Sequence, residues 1–152
     1  MVYLVIRIKG LVNIPYWALT TLTNLNLNKK FNATLVPENL QTLGMLRKVK
    51  DSISWYKADK EIIKDLLEKR GKKDGYKSIT VNDLPAKFGT FDEIADALSS
   101  DTIKLSDLES IKPWFTLNPP KGGFKRKTKK QYSQGGILGE NKELISIIRR
   151  MM

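Results

Sequence analysis

The sequence predicts an α+β fold: a small three-stranded antiparallel sheet with two helices on one face, then a helical insertion, then a basic segment and a C-terminal helix. Three observations carry this reading. Short alternating apolar runs at 2–8, 31–36 and 52–56 are separated by two stretches with helical spacing. Cap-like spacings recur from residue 59 onward, and no period of about 20–50 residues marks a repeat protein. At 152 residues and 41% apolar content the chain suits about one domain.

The first strand alternates Leu4, Ile6 and Ile8 with Tyr3, Val5 and Arg7, which predicts one strongly buried face. Pro15 suits a first helical turn, and Trp17, Leu19, Leu22 and Leu25 approximate one face of a helix that stops at Asn28-Lys29-Lys30. Residues 31–36 read as a second strand stopped by Pro37. Leu40, Leu43, Leu46 and Val49 then mark a second helix, and Ile53 and Trp55 alternate with Ser52, Ser54 and Tyr56 in a third strand. The order β-α-β-α-β within 1–57 most simply places both helices on one face, over a core of Leu4, Ile6, Leu22, Leu35, Leu46, Ile53 and Trp55. Trp17 and Trp55 are assigned to that core because both fall on otherwise apolar faces.

From 58 to 111 the chain reads as an acidic helical insertion. Asp59 is placed to cap a helix with Ile62, Ile63, Leu66 and Leu67 on one side, and Thr90 to Glu93 and Ser106 to Glu109 have capping-box spacing. Residues 112–152 read as a basic loop followed by a helix over about 140–151. That helix carries Leu144, Ile147, Ile148 and Met151 on one face, acidic residues early and Arg149 and Arg150 late, matching its dipole.

Charge divides the chain in the same three parts. Residues 1–58 hold eight Lys/Arg against two Asp/Glu, residues 59–111 hold nine against twelve, and residues 112–152 hold ten against two. An acidic middle between two cationic ends points to two surfaces facing an anion and one facing away. Composition excludes much else. With no Cys and no His, Cys/His zinc sites, thiol nucleophiles, imidazole catalysis and disulfides are ruled out. Most carboxylates sit at cap spacings that already explain them, so an enzyme is not expected, nor a cofactor, metal or small-molecule substrate. The short apolar start is interrupted by Arg7 and is no secretory segment, so a cytoplasmic location is expected. No run approaches the roughly 18 apolar residues of a membrane span, and no membrane partner is expected.

The densest cationic stretch is Lys121 to Lys130, with six positive charges and no negative one, entered through Asn118-Pro119-Pro120. Like charge this concentrated repels itself and cannot build a core, so polyphosphate is its natural counterion and RNA or DNA the leading partner. A solvated loop, a localisation signal and a solubility device are the plainer alternatives. The stretch lacks hydrophobic periodicity, so residues 121–134 are expected to order only on binding. Lys69 to Gly75 is a weaker basic loop.

Several multi-residue stretches in one order resemble a known family. Residues 44–55 (GMLRKVKDSISW), 117–123 (LNPPKGG), 135–139 (GGILG) and 147–151 (IIRRM) resemble the large-subunit ribosomal protein numbered thirty in bacteria and archaea and seven in eukaryotes, in the order of the archaeal form. The resemblance implies a ferredoxin-like core, a structural role in the large ribosomal subunit, binding of its RNA, and neighbouring ribosomal proteins as further partners. It also implies that residues from about 59 onward extend a unit complete in bacteria. One departure is Asn118, where the family usually has His before the Pro pair.

In that setting Lys121, Lys125, Arg126, Lys127, Lys129 and Lys130 are the expected phosphate contacts, and Gly122, Gly123, Gly135 and Gly136 let the backbone approach closely and bend. Phe124 and Tyr132 either stack on unpaired bases or anchor the segment to the protein's own core. Lys29 and Lys30, with Arg47, Lys48 and Lys50, form a second patch at two helix C-termini, where cations are favourable even without a ligand. A free RNA chaperone or regulatory RNA-binding protein shares all these features and is the alternative reading.

Overall fold

All six residues of β1 (Val2–Arg7) are buried, so this strand is covered on both faces and not on one. The computed structural model describes residues 1–152 and shows why. β1 lies at the centre of a six-stranded sheet, flanked by β2 (Asn32–Pro37) and β3 (Ile53–Lys57), both antiparallel to it. β4 (Phe115–Thr116) extends the β2 edge. Beyond β3 come β6 (Gly136–Glu140), parallel to it, and then β5 (Lys127–Gln131). The three-stranded sheet read from the sequence is therefore the middle of a larger one. The added strands were hidden because β4 has two residues, β5 is almost wholly polar, and β6 is a Gly-flanked apolar pair that resembles a turn.

Helices α1 (Tyr16–Asn24) and α2 (Leu40–Lys48) cover one face. There Tyr3, Val5, Leu22, Leu46, Ile53 and Trp55 form a cluster of 10 buried residues. The opposite face packs against α3 (Lys60–Arg70), α4 (Phe91–Ser99) and α5 (Leu144–Arg149) in a cluster of 26, which includes Leu4, Ile6 and Leu35. The single core expected for residues 1–57 is thus divided by the sheet, and its larger part is completed by residues from beyond 57. Period-two alternation puts successive side chains on opposite faces, so Leu4 and Val5 cannot share a core.

The helix signals were partly realised. Asn39 caps α2, accepting from the Thr42 N–H at 2.8 Å. Thr90 accepts from Glu93 N–H at 3.4 Å, while the Glu93 carboxylate reaches back to the Gly89 N–H at 2.8 Å. Asp59 precedes α3 but makes no side-chain cap. Ser106 caps nothing: it lies inside a 3-10 turn over Leu105–Asp107, where Asp107 accepts from Lys104 N–H. Leu40, the first of the apolar residues that mark the second helix, is exposed at the start of α2. The last helix starts at Leu144 and not near 140, because Glu140 still belongs to β6. No helix is long and apolar enough to cross a membrane.

Candidate nucleic-acid interface

Arg7 organises the end of the sheet where β1 stops and β2 and β3 begin. Its guanidinium is almost fully buried and has no carboxylate partner. Instead it donates to four carbonyls: Lys9 at 2.9 Å, Leu27 at 2.8 Å, Asn28 at 3.0 Å and Gly10 at 3.0 Å. Burial pushes its pKa below the ordinary arginine value, yet arginine stays charged at any physiological pH. These bonds fix the turn after β1 and the turn after α1, and so place Lys9, Lys29 and Lys30.

Beside these turns lies a groove of about 830 Å³. Lys9, Trp17, Lys30, Lys48, Phe124 and Lys129 line it, drawn from the turn after β1, α1, the approach to β2, the end of α2 and the basic segment. Trp17 was assigned to the core on spacing. It is 50% exposed, because the buried face of α1 runs through Ala18, Thr21 and Leu22 and leaves Trp17 on the flank. The Lys48 ammonium lies 5.6 Å from its ring centroid. Leu11, Val12 and Tyr16 are exposed next to it in sequence.

The two basic patches therefore meet. Lys30 and Lys48 from the helix ends and Phe124 and Lys129 from the basic segment share the groove. Phe31 joins them. It holds a positive φ of 65°, uncommon for so bulky a side chain, with Lys30 Nζ 4.8 Å above its ring and the Phe124 ring 6.2 Å away. Lys9 and Trp17 were missed by sequence reasoning. The available signal was the adjacent pair Tyr16-Trp17 at a helix start, of which one narrow face can bury only part.

The basic segment is not a free loop. Its second half is the edge strand β5, and it is pinned at several points. Arg150 donates to the Gly123 carbonyl at 3.1 Å. Arg126 makes a two-pronged ion pair with Glu143, at 3.0 and 2.5 Å, which raises the Arg126 pKa, and it lies over the Tyr132 ring at 5.0 Å. The Gln131 amide donates to Asp51 at 2.7 Å. These anchors are one residue each and carry no periodicity, so local spacing does not reveal them.

Pinning leaves specific cations outward. Lys29, Lys30, Arg47, Lys48, Lys50, Lys121, Lys125, Lys127, Lys129 and Lys130 are all exposed, and none has a carboxylate within 4.0 Å. Lys125 and Arg126 border a separate concavity of about 310 Å³ beside Arg150. Lys121, Gly122 and Gly123 lie next to the chain's C-terminal end. Gly135 turns the chain from β5 into β6 at φ 78°, and a Cβ on Gly136 would overlap the Lys130 carbonyl. Only four residues separate β5 from β6, too few for a regular parallel crossover, and their pairing is correspondingly bulged.

Comparison with known proteins gives the family. Over 151 residues the chain is 46% identical to the large ribosomal subunit protein uL30 of Cenarchaeum symbiosum, covering 99% of this chain and 97% of that one. The chain belongs to the ribosomal protein L30p/L7e family. The family profile itself matches residues 3–53, which span β1 to the start of β3. The chain is 45% identical to the uL30 protein of Nitrosopumilus maritimus over 98% of its length, and 42% identical to that of Staphylothermus marinus over 99%. The relatives thus share the helical insertion and the basic segment as well as the profile region.

Proposed function

We propose that the groove between Trp17 and β5 grips large-subunit ribosomal RNA, and that the outward lysines of the basic segment neutralise its phosphates. As a member of a family of large-subunit ribosomal proteins, the protein is a structural constituent of that subunit, and ribosomal RNA binding is the family's general function. The observation that carries the site is convergence: Lys9, Lys30, Lys48 and Lys129 reach one groove from four separate segments, none with a carboxylate partner, beside an exposed indole. The one carboxylate in the lining, Asp51, accepts from Gln131. Such a groove suits unpaired nucleotides, whose bases stack on aromatic rings while lysines take the phosphates.

The protein works without chemistry of its own, in the cytoplasm, with neighbouring large-subunit proteins beside it. Sedimentation tests this against the chaperone reading. A constituent remains with the large subunit through moderate salt, whereas a chaperone is found in free fractions.

A further inference from the structure

A second aromatic and cationic cluster lies at the opposite edge of the sheet from β5. Trp114 immediately precedes β4, the strand that ends the sheet on the β2 side. Lys112 holds its ammonium 5.4 Å from the Trp114 ring centroid and 3.7 Å from that of Tyr76, and Lys72 approaches the same Tyr76 ring at 5.9 Å. A backbone bond from Lys112 N–H to the Lys72 carbonyl, 2.9 Å, ties the two segments together.

Two features distinguish this cluster from an ordinary charged surface. Tyr76 is 60% exposed and sits at φ 61°, a left-handed conformation that costs a bulky residue energy while presenting its ring to solvent. The lysines are also unpaired. Lys60, Lys64, Lys69 and Lys73, all from the same acidic region, have carboxylate partners, but Lys72, Lys77 and Lys112 have none.

We infer that Tyr76, Trp114 and the lysines around them form a second RNA contact, taking an unpaired nucleotide with its base on the Tyr76 ring and its phosphate against Lys72, Lys77 or Lys112. The inference rests on the RNA-binding reading above. Six strands at about 4.8 Å spacing separate the two edges by roughly 24 Å, so the two contacts hold separate stretches of RNA and the protein acts as a brace between them. The insertion then does not simply face away from RNA, as its net charge implied: Asp65, Asp83, Asp92 and Asp96 are each paired with a lysine, while Lys72, Lys77 and Lys112 have no carboxylate partner.

Tyr76→Asn separates the possibilities, because Asn tolerates the left-handed backbone while removing the ring. The full chain is titrated with a transcript of the organism's large-subunit ribosomal RNA at several salt concentrations, and its melting temperature is measured in parallel. Tyr76→Asn should weaken binding about five- to a hundredfold with an equal or higher melting temperature, and Tyr76→Phe should restore affinity. Replacing Lys72, Lys77 and Lys112 by Gln should reduce the log–log salt slope by about 0.7–0.9, the contribution of one phosphate contact. Unchanged RNA affinity in Tyr76→Asn overturns the proposal, including the case where only the melting temperature falls or only association with a protein is lost. A variant with Lys125, Lys127, Lys129 and Lys130 changed to Gln serves as control. If it loses binding and Tyr76→Asn does not, the second contact fails and the main reading stands; if neither loses binding, both fail.

Discussion

The two faces of the sheet differ in core size and in what their outer surfaces do with charge. Under α1 and α2 lie 10 buried residues, and under α3, α4 and α5 lie 26, so most of the burial energy sits on the second face. On that side several cations are answered within the protein: Lys60 by Asp96 at 2.6 Å, Lys64 by Asp92 at 2.8 Å, Arg149 by Glu61 at 3.3 Å. Around α1 and α2 the cations at the helix ends have no such partners, and Leu11, Val12, Tyr16 and Trp17 are exposed among them. A cation already paired offers little to a phosphate, and a small core leaves helix ends at the surface. The larger core and the proposed RNA groove thus lie on different faces, and each can be broken separately.

The largest effect is expected from deleting residues 140–152. Leu144, Ile147, Ile148 and Met151 all leave the larger core. At about 1.5–3 kcal/mol each, their loss rivals the whole stability of a typical domain, ~5–15 kcal/mol. Thermal denaturation followed by circular dichroism should show a greatly lowered or absent transition. An unchanged transition with abolished RNA binding would make α5 a recognition helix and Arg149 and Arg150 its contacts.

Next comes Arg7→Met, which keeps the apolar stem but orphans four carbonyls. With unsatisfied buried groups at ~1–3 kcal/mol each, and some relaxation toward water, urea unfolding should show a loss of about 2–5 kcal/mol. RNA affinity should fall too, because the Lys9 and Lys30 turns loosen. Full stability in this variant would mean that the turns hold themselves and that the smaller face needs no buried charge.

Changing Lys125, Lys127, Lys129 and Lys130 to Gln should leave the melting temperature within a few degrees of the parent and lower the salt slope of RNA binding by about 3. A fall in affinity with the slope unaltered would exclude direct phosphate neutralisation. Trp17→Ala should weaken RNA binding about five- to a hundredfold through lost stacking and alter stability little, since the indole is half exposed. If that variant instead melts far below the parent, Trp17 belongs to the smaller core after all.

The smallest effect is acid sensitivity on the insertion side. Lys73 first, and then Thr80, hold the Asp83 carboxyl well below the usual carboxylate range. A group with a depressed folded pKa contributes stability that is fully present above its unfolded value, ~4, and lost as pH falls from there toward the folded one. Melting temperature should therefore decline as pH drops below about 4, and Asp83→Asn should flatten that decline slightly. An unchanged acid limb would show the pair to be only a surface contact.

Much of the molecule was legible in the chain. Strands β1 to β3, helices α1 to α4 and the apolar stripe of α5 follow from local spacing, since burial at period 2 or 3.6 is written into neighbouring residues. The cationic ends and the family resemblance were equally readable. Tertiary structure decided what local spacing cannot encode. It covered β1 on both faces, turned a loop-like stretch into β5, moved Trp17 to the surface, and set Arg126 against Glu143. It also carried Lys129 to Lys30 and Lys48, across a chain separation comparable to the 80 residues between Gln131 and Asp51. The reason is physical: a strand's partners, and the side of a helix that meets solvent, depend on contacts between distant segments. Those contacts rest on single anchors such as Phe124, Gln131 and Arg7, and one residue leaves no period to read.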